Sequence, residues 1–93
     1  MKGARAAKLR AQGQSLAPTA YVGKAGITPS VVEEVKGQLR NNSLVKVRFA
    51  PSMDDRGARE AAAKELARGC GAELVEVRGR TALLAGAAAA KSK

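Results

Sequence analysis

Ile27, Val31, Val35 and Leu39 recur at every fourth position, with Val32 beside them, the spacing that gathers apolar side chains on one face of a helix. Thr28 is placed to cap that helix and Pro29 to occupy its first position, while Arg40 and Asn41-Asn42 close it. The period then switches to two. Val45, Val47 and Phe49 alternate with Lys46 and Arg48, which predicts a strand over 44–50 with one apolar face, ended by Pro51. A further helix is expected from Asp54 or Asp55 to about Arg68, turning Ala58, Ala62 and Leu66 inward. Glu73–Arg78 and Thr81–Ala85 read as strands joined by Gly79-Arg80, a glycine-first two-residue hairpin turn. Nearer the start, 19–22 reads as a short strand and 4–12 as a helix with a thin stripe of Ala6 and Leu9, stopped at Gly13.

The order helix, strand, helix, strand, helix, strand, strand predicts a compact two-layer α/β domain. Helical crossovers favour parallel pairing and the hairpin adds an antiparallel edge, so a mixed four-stranded sheet is expected. Residues 1–86 form the expected domain, and the alanine run with its KSK end, 87–93, a flexible tail. The chain of 93 residues has the length of one domain. The longest uncharged apolar stretch, 82–90, falls far short of the ~20 residues that span a bilayer. With no secretory-type apolar segment at the start and a single cysteine, Cys70, the expected compartment is the cytoplasm.

Charge changes this picture from a fold to a surface. The net charge is +9, and residues 1–50 hold nine basic and two acidic groups against eight and six in residues 51–93. Such an excess repels itself within a small fold and points to a polyanionic partner, weighted toward the N-terminal half. Lys2, Arg5, Lys8 and Arg10 lie on the first predicted helix with no acidic residue among them, so nearby salt bridges do not account for them. Lys46 and Arg48 on the outward face of their strand, and Arg78 and Arg80 at the hairpin, extend the candidate surface.

Gly23-Lys24-Ala25-Gly26 sits between a strand and a helix start. Glycines at both ends let another backbone approach, Lys24 adds a cation at the tip, and the dipole of the helix beginning at Thr28 favours negative charge there. That combination suits a nucleic-acid phosphate, as in the GxxG loops of KH domains. Neither a nucleotide-hydrolysing loop nor a dinucleotide fingerprint is present. Without histidine there is no His–Cys metal cluster and no imidazole acid–base group. Asp54-Asp55 reads as a cap and turn and Cys70 as a buried small side chain, so no enzymatic activity, cofactor or metal is expected. Tyr21 and Phe49 are the only aromatics; Phe49 is expected in the core, and Tyr21, two residues before the loop, is expected to pack there too, with contact to a base as its alternative role, so recognition is expected through backbone and shape rather than base stacking.

Val22-Gly23-Lys24-Ala25-Gly26-Ile27-Thr28, followed by the Val31/Val35/Leu39 helix, resembles the CRM domain family, most closely its stand-alone bacterial members of the YhbY type. Leu44-Val45-Lys46-Val47-Arg48 and the hairpin Val77-Arg78-Gly79-Arg80-Thr81 with Leu83-Leu84 extend the likeness over 4–85. The resemblance implies a fold similar to the C-terminal domain of bacterial translation initiation factor three. It also implies association with precursors of the large ribosomal subunit and a role in their assembly. The family's loop maps onto Gly23, Lys24, Ala25 and Gly26, although Ala25 offers no side-chain donor where many relatives have a more polar centre.

The resulting expectation is a monomeric RNA-binding protein without membrane association. Its candidate contacts are Gly23, Lys24, Ala25, Gly26 and Thr28 with Lys2, Arg5, Lys8, Arg10, Lys46, Arg48 and Arg80. Two alternatives stand beside it: a basic protein that coats nucleic acids without specificity, and an interaction module that docks an acidic protein.

Overall fold

A computed structural model describes residues 3–53 and 55–86, with the side chains of 3–6 left aside. Lys2, the Arg5 side chain, Asp54 and the 87–93 tail therefore lie outside the described residues. Seven elements follow one another: α1 (Gly3–Gln14), β1 (Ala20–Val22), α2 (Pro29–Asn41), β2 (Leu44–Phe49), α3 (Arg56–Cys70), β3 (Glu73–Arg78) and β4 (Thr81–Ala85). The strands form one mixed sheet in the order β1-β2-β4-β3. β1 and β2 are parallel, and the remaining pairs are antiparallel. The α3 crossover carries the chain past β2's neighbour, and β4 returns to fill the gap between β2 and β3.

The alternation in β2 sorts the molecule into two sides. Val45, Val47 and Phe49 are buried with Val22, Val35, Leu66, Ala82 and Leu84 between the sheet and the layer formed by α2 and α3. Each fully buried Val, Leu or Phe contributes about 1.5–3 kcal/mol. α2 inserts Val35 completely and leaves Ile27, Val31, Val32 and Leu39 packed around the margin. α3 buries Ala62, Ala63, Leu66 and Ala67. Ala58, expected inward, is exposed, because the first turn of α3 overlies the connection from β2 rather than the sheet. There Asp55 caps the helix through Ala58 N–H at 2.9 Å, and Arg59 Nη1 donates to Met53 O at 2.9 Å.

β3 departs from simple alternation. Leu74 pairs with Leu84, but Glu76 pairs with Leu83, so Val75 is the extra residue of a bulge. The bulge resets the phase, and Leu74 and Val77 both reach the α2/α3 core while Val75 joins Leu9, Leu44 and Ala85 on the other side.

That other side carries α1, which adds a partial third layer to the expected two. Gly13 does not stop α1, which continues to Gln14. A β-carbon on Gly13 would stand 2.3 Å from Leu83 Cδ2, a separation that no side chain tolerates without displacement. Glycine here lets the helix backbone lie directly on β4. At the other end of the chain, Gly71 takes the left-handed conformation that terminates α3 (φ 65°), and Gly79 does the same in the hairpin (φ 57°).

Replacing Gly13 by Ala should raise helix propensity by about 1 kcal/mol yet lose about 1–3 kcal/mol to overpacking. Urea unfolding of Gly13→Ala should show a net loss near 1 kcal/mol, converted to a gain in a Leu83→Ala background. A gain in the otherwise unaltered protein would show that α1 does not press on Leu83.

Candidate nucleic-acid interface

Three connections meet at the carboxyl ends of the parallel strands β1 and β2. Val22 is in register with Phe49, and Ala50 N–H donates to Val22 O at 2.9 Å. Phe49 N–H in turn donates to Arg80 O at 2.8 Å. These bonds hold the 23–26 turn, the exit of β2 and the β3–β4 hairpin side by side. Ligands of open α/β sheets collect at this end of parallel strands, where connections diverge and helix N-termini converge.

The turn is closed by Gly26 N–H donating to Gly23 O at 3.0 Å. Lys24 and Ala25 have ordinary negative φ, whereas Gly26 lies at φ 80° with open space where a β-carbon would be. Gly26 is thus required by backbone conformation. Gly23 is not: its β-carbon would meet only Tyr21 Cε2, at the ordinary distance of 3.6 Å. Thr28 caps α2 as expected, its Oγ1 accepting from Val31 N–H at 3.2 Å and its carbonyl from Val32 N–H at 3.1 Å. Pro29 has no N–H, so the helix start offers a partner chiefly the Ser30 amide and the dipole.

The sheet face on the α1 side contributes the charge. Tyr21 is in register with Arg48, Arg48 with Thr81, and Thr81 with Arg78, so the four form one row across all four strands. Arg48 and Arg78 are exposed, as are Lys24 and Arg80 on the adjoining turns. None of these four cations has a side-chain partner among the described residues. On the helical side of the hairpin, a hollow of about 310 Å³ is lined by Arg56, Arg59, Val77, Arg78 and Gly79. Arg59 Nε is buried there without a partner, and Arg56 is engaged by Glu60 at 3.2 Å.

The structure separates the candidate residues that the sequence groups together. Leu9 packs over Leu44, Val75 and Ala85, at the end of the sheet opposite the turn. Five residue steps along β2, about 16 Å at ~3.3 Å per residue, lie between these ends. Lys8 and Arg10 flank Leu9 and stand with it, away from Lys24, Arg48 and Arg80. Lys46 is committed internally. Its Nζ donates to Gly13 O at 3.1 Å and Leu16 O at 3.3 Å, placing positive charge at the carbonyl end of α1.

Two further expectations change. Tyr21, expected in the core, is 55% exposed, because β1 is a short edge strand that α1 does not cover. Cys70 is the last residue of α3 and only half-buried. Burial pushes its thiol pKa up, with Lys36 opposing and Glu33 adding to the rise, and its Sγ lies 3.7 Å from Val32 O. Among the described residues no group of three or more His, Cys, Asp or Glu side chains could hold a metal, and no helix is long and apolar enough to cross a membrane.

Fold and site together define a small basic α/β domain with exposed cations at the end of the sheet that carries a glycine-bracketed turn. The chain belongs to the CRS1 / YhbY (CRM) domain family, which matches residues 1–85. It is 36% identical over 76 residues to the Methanocaldococcus jannaschii protein named Probable RNA-binding protein MJ0652, a match covering 82% of this chain. The chain spans 56% of that relative's length. Its fold is also that of the Staphylococcus aureus protein SAV1595, whose solution structure aligns with a TM-score of 0.81 over 92% of this chain and 88% of the other, at 23% identity.

Because Lys46 is bonded to the Gly13 and Leu16 carbonyls at and just past the end of α1 and Lys24 is not, the two lysines should separate in experiment. Lys46→Met should lower folding stability by about 1 kcal/mol, the scale of a partly exposed charged hydrogen bond. Lys24→Ala should stay within about 0.5 kcal/mol of the parent, as exposed substitutions do. Chemical denaturation of both variants provides the measurement.

Proposed function

We propose that this chain is a non-enzymatic, monomeric RNA-binding protein of the cytoplasm that assists assembly of the large ribosomal subunit by binding its RNA precursors. The observation that carries the RNA reading is that the 23–26 turn shares one end of the sheet with exposed Lys24, Arg48, Arg78 and Arg80, none of them with a side-chain partner among the described residues. Membership in the CRM family supports it, as does the relative named for RNA binding. A phosphate backbone laid along the turn meets glycines that admit close approach, a helix start and four cations. The ribosomal part of the reading rests on the family likeness alone.

Four contacted phosphates set a slope of log affinity against log salt of about −3 to −4, between the single-strand and duplex coefficients. Lys24→Ala should weaken binding to all RNAs and make the slope shallower by about one. A slope near zero would remove the electrostatic mechanism. In cells, crosslinked RNA should map to the large subunit and the protein should sediment with immature large-subunit particles. Crosslinks confined to other RNAs would overturn the ribosomal assignment. Equal affinity for duplex DNA would favour the non-specific alternative, and nuclease-resistant association with an acidic protein would favour the interaction module.

A further inference from the structure

Tyr21 is the exposed aromatic of the domain, since Phe49 is fully buried. Its position next to the turn is set by the sheet. β1 runs directly into Gly23, and the position a Gly23 β-carbon would take lies 3.6 Å from Tyr21 Cε2. Arg48 is its in-register neighbour on β2. Beside them an open depression of about 380 Å³ runs along the β1 edge, lined by Pro18, Thr19, Ala20, Tyr21, Glu34 and Arg48. The single carboxylate of that lining, Glu34, belongs to α2, on the other side of the sheet, where its Oε2 lies 3.5 Å from Gln38 Nε2.

Tyr21 presents an accessible aromatic ring on an edge strand, and its surroundings indicate what fits against it. The flanking cations Lys24 and Arg48 disfavour a basic or purely apolar partner and favour one that is planar and carries negative charge nearby. A nucleotide has both properties. Its phosphate would rest at the turn while its base reaches the ring one strand residue away. We propose that Tyr21 is a stacking platform for one unpaired nucleobase of the RNA whose backbone lies on the 23–26 turn, with Arg48 beside the stacked base. This inference rests on the RNA-binding reading above and adds a preference: an RNA with an unpaired nucleotide beside the gripped backbone is bound over a continuous duplex. Stacking accepts any base, because every base presents a π-face, so the site selects strandedness rather than sequence.

The chain has one tyrosine and no tryptophan, so its tyrosine emission reports this position alone. The test uses the full chain at low salt, where phosphate contacts support binding to any RNA. The probes are an end-labelled hairpin RNA with an adenosine loop and a blunt duplex of the same stem. Binding is read from the label and stacking from tyrosine emission. The hairpin should bind and quench the emission more than the blunt duplex does. Tyr21→Leu should lose about five- to 150-fold in hairpin affinity, the range for removing one stacked base, while Tyr21→Phe should bind like the parent. Because the side chain is exposed, both variants should keep the parent's circular dichroism. Hairpin binding with unchanged emission and with Tyr21→Leu equal to the parent would overturn the stacking site and leave RNA binding standing. Equal quenching by the blunt duplex would also overturn it. Failure of the parent protein to bind the hairpin would overturn both readings.

Discussion

Strand β2 is hydrogen-bonded on both edges, to β1 in parallel and to β4 antiparallel, and its side-chain alternation divides the molecule. Val45, Val47 and Phe49 hold α2 and α3 against one face. Lys46 and Arg48, between them, are forced to the other. Lys46 meets the end of α1 and becomes structural, whereas Arg48, one pleat further on, lies beyond the helix and stays free. A slip of one residue in β2 would send both cations into the core and three large apolar side chains out, so register here is strongly enforced. The same constraint places Tyr21, Thr81 and Arg78 in a row with Arg48. The candidate interface is therefore a by-product of the strand that organises the core.

Much of this was legible from residue spacing. The α2 stripe with Thr28 and Pro29 at its start, the alternation of β2 and the two-residue turn at Gly79-Arg80 are local signals, and each lies where its chemistry places it. What was not legible depends on contacts between distant segments. Glu73-Leu74-Val75-Glu76-Val77-Arg78 gives no local sign of a bulge, although only a bulge turns Leu74 and Val77 to the same side. Gly13 looks like a helix stop until Leu83, seventy residues on, is found against it. Tyr21 reads first as core and second as a base contact, and its exposure follows from being on a three-residue edge strand. Lys46 could have been suspected only by asking what a helix ending at Gln14 does with its last carbonyls.

Electrostatically, a net charge of +9 is not one patch. One part serves the fold, as with Lys46. Another stands on α1 at Lys8 and Arg10, over the amino end of β2. The part beside the 23–26 turn lies against Gly26, whose φ of 80° favours glycine, and α2 begins three residues later. The separation between these groups, rather than their sum, gives the surface a direction. A partner held at the turn end meets Lys24, Arg48, Arg78 and Arg80 before it meets α1.

On the proposed reading, RNA binds at the carboxyl ends of β1 and β2. Mapping amide chemical shifts of the isotope-labelled chain during titration with a hairpin RNA tests it most directly. The largest shifts should fall on Gly23 to Thr28, Arg48 and Gly79 to Thr81, with the amides around Lys8 and Arg10 nearly unmoved. Shifts concentrated on α1, with the 23–26 turn silent, would contradict it.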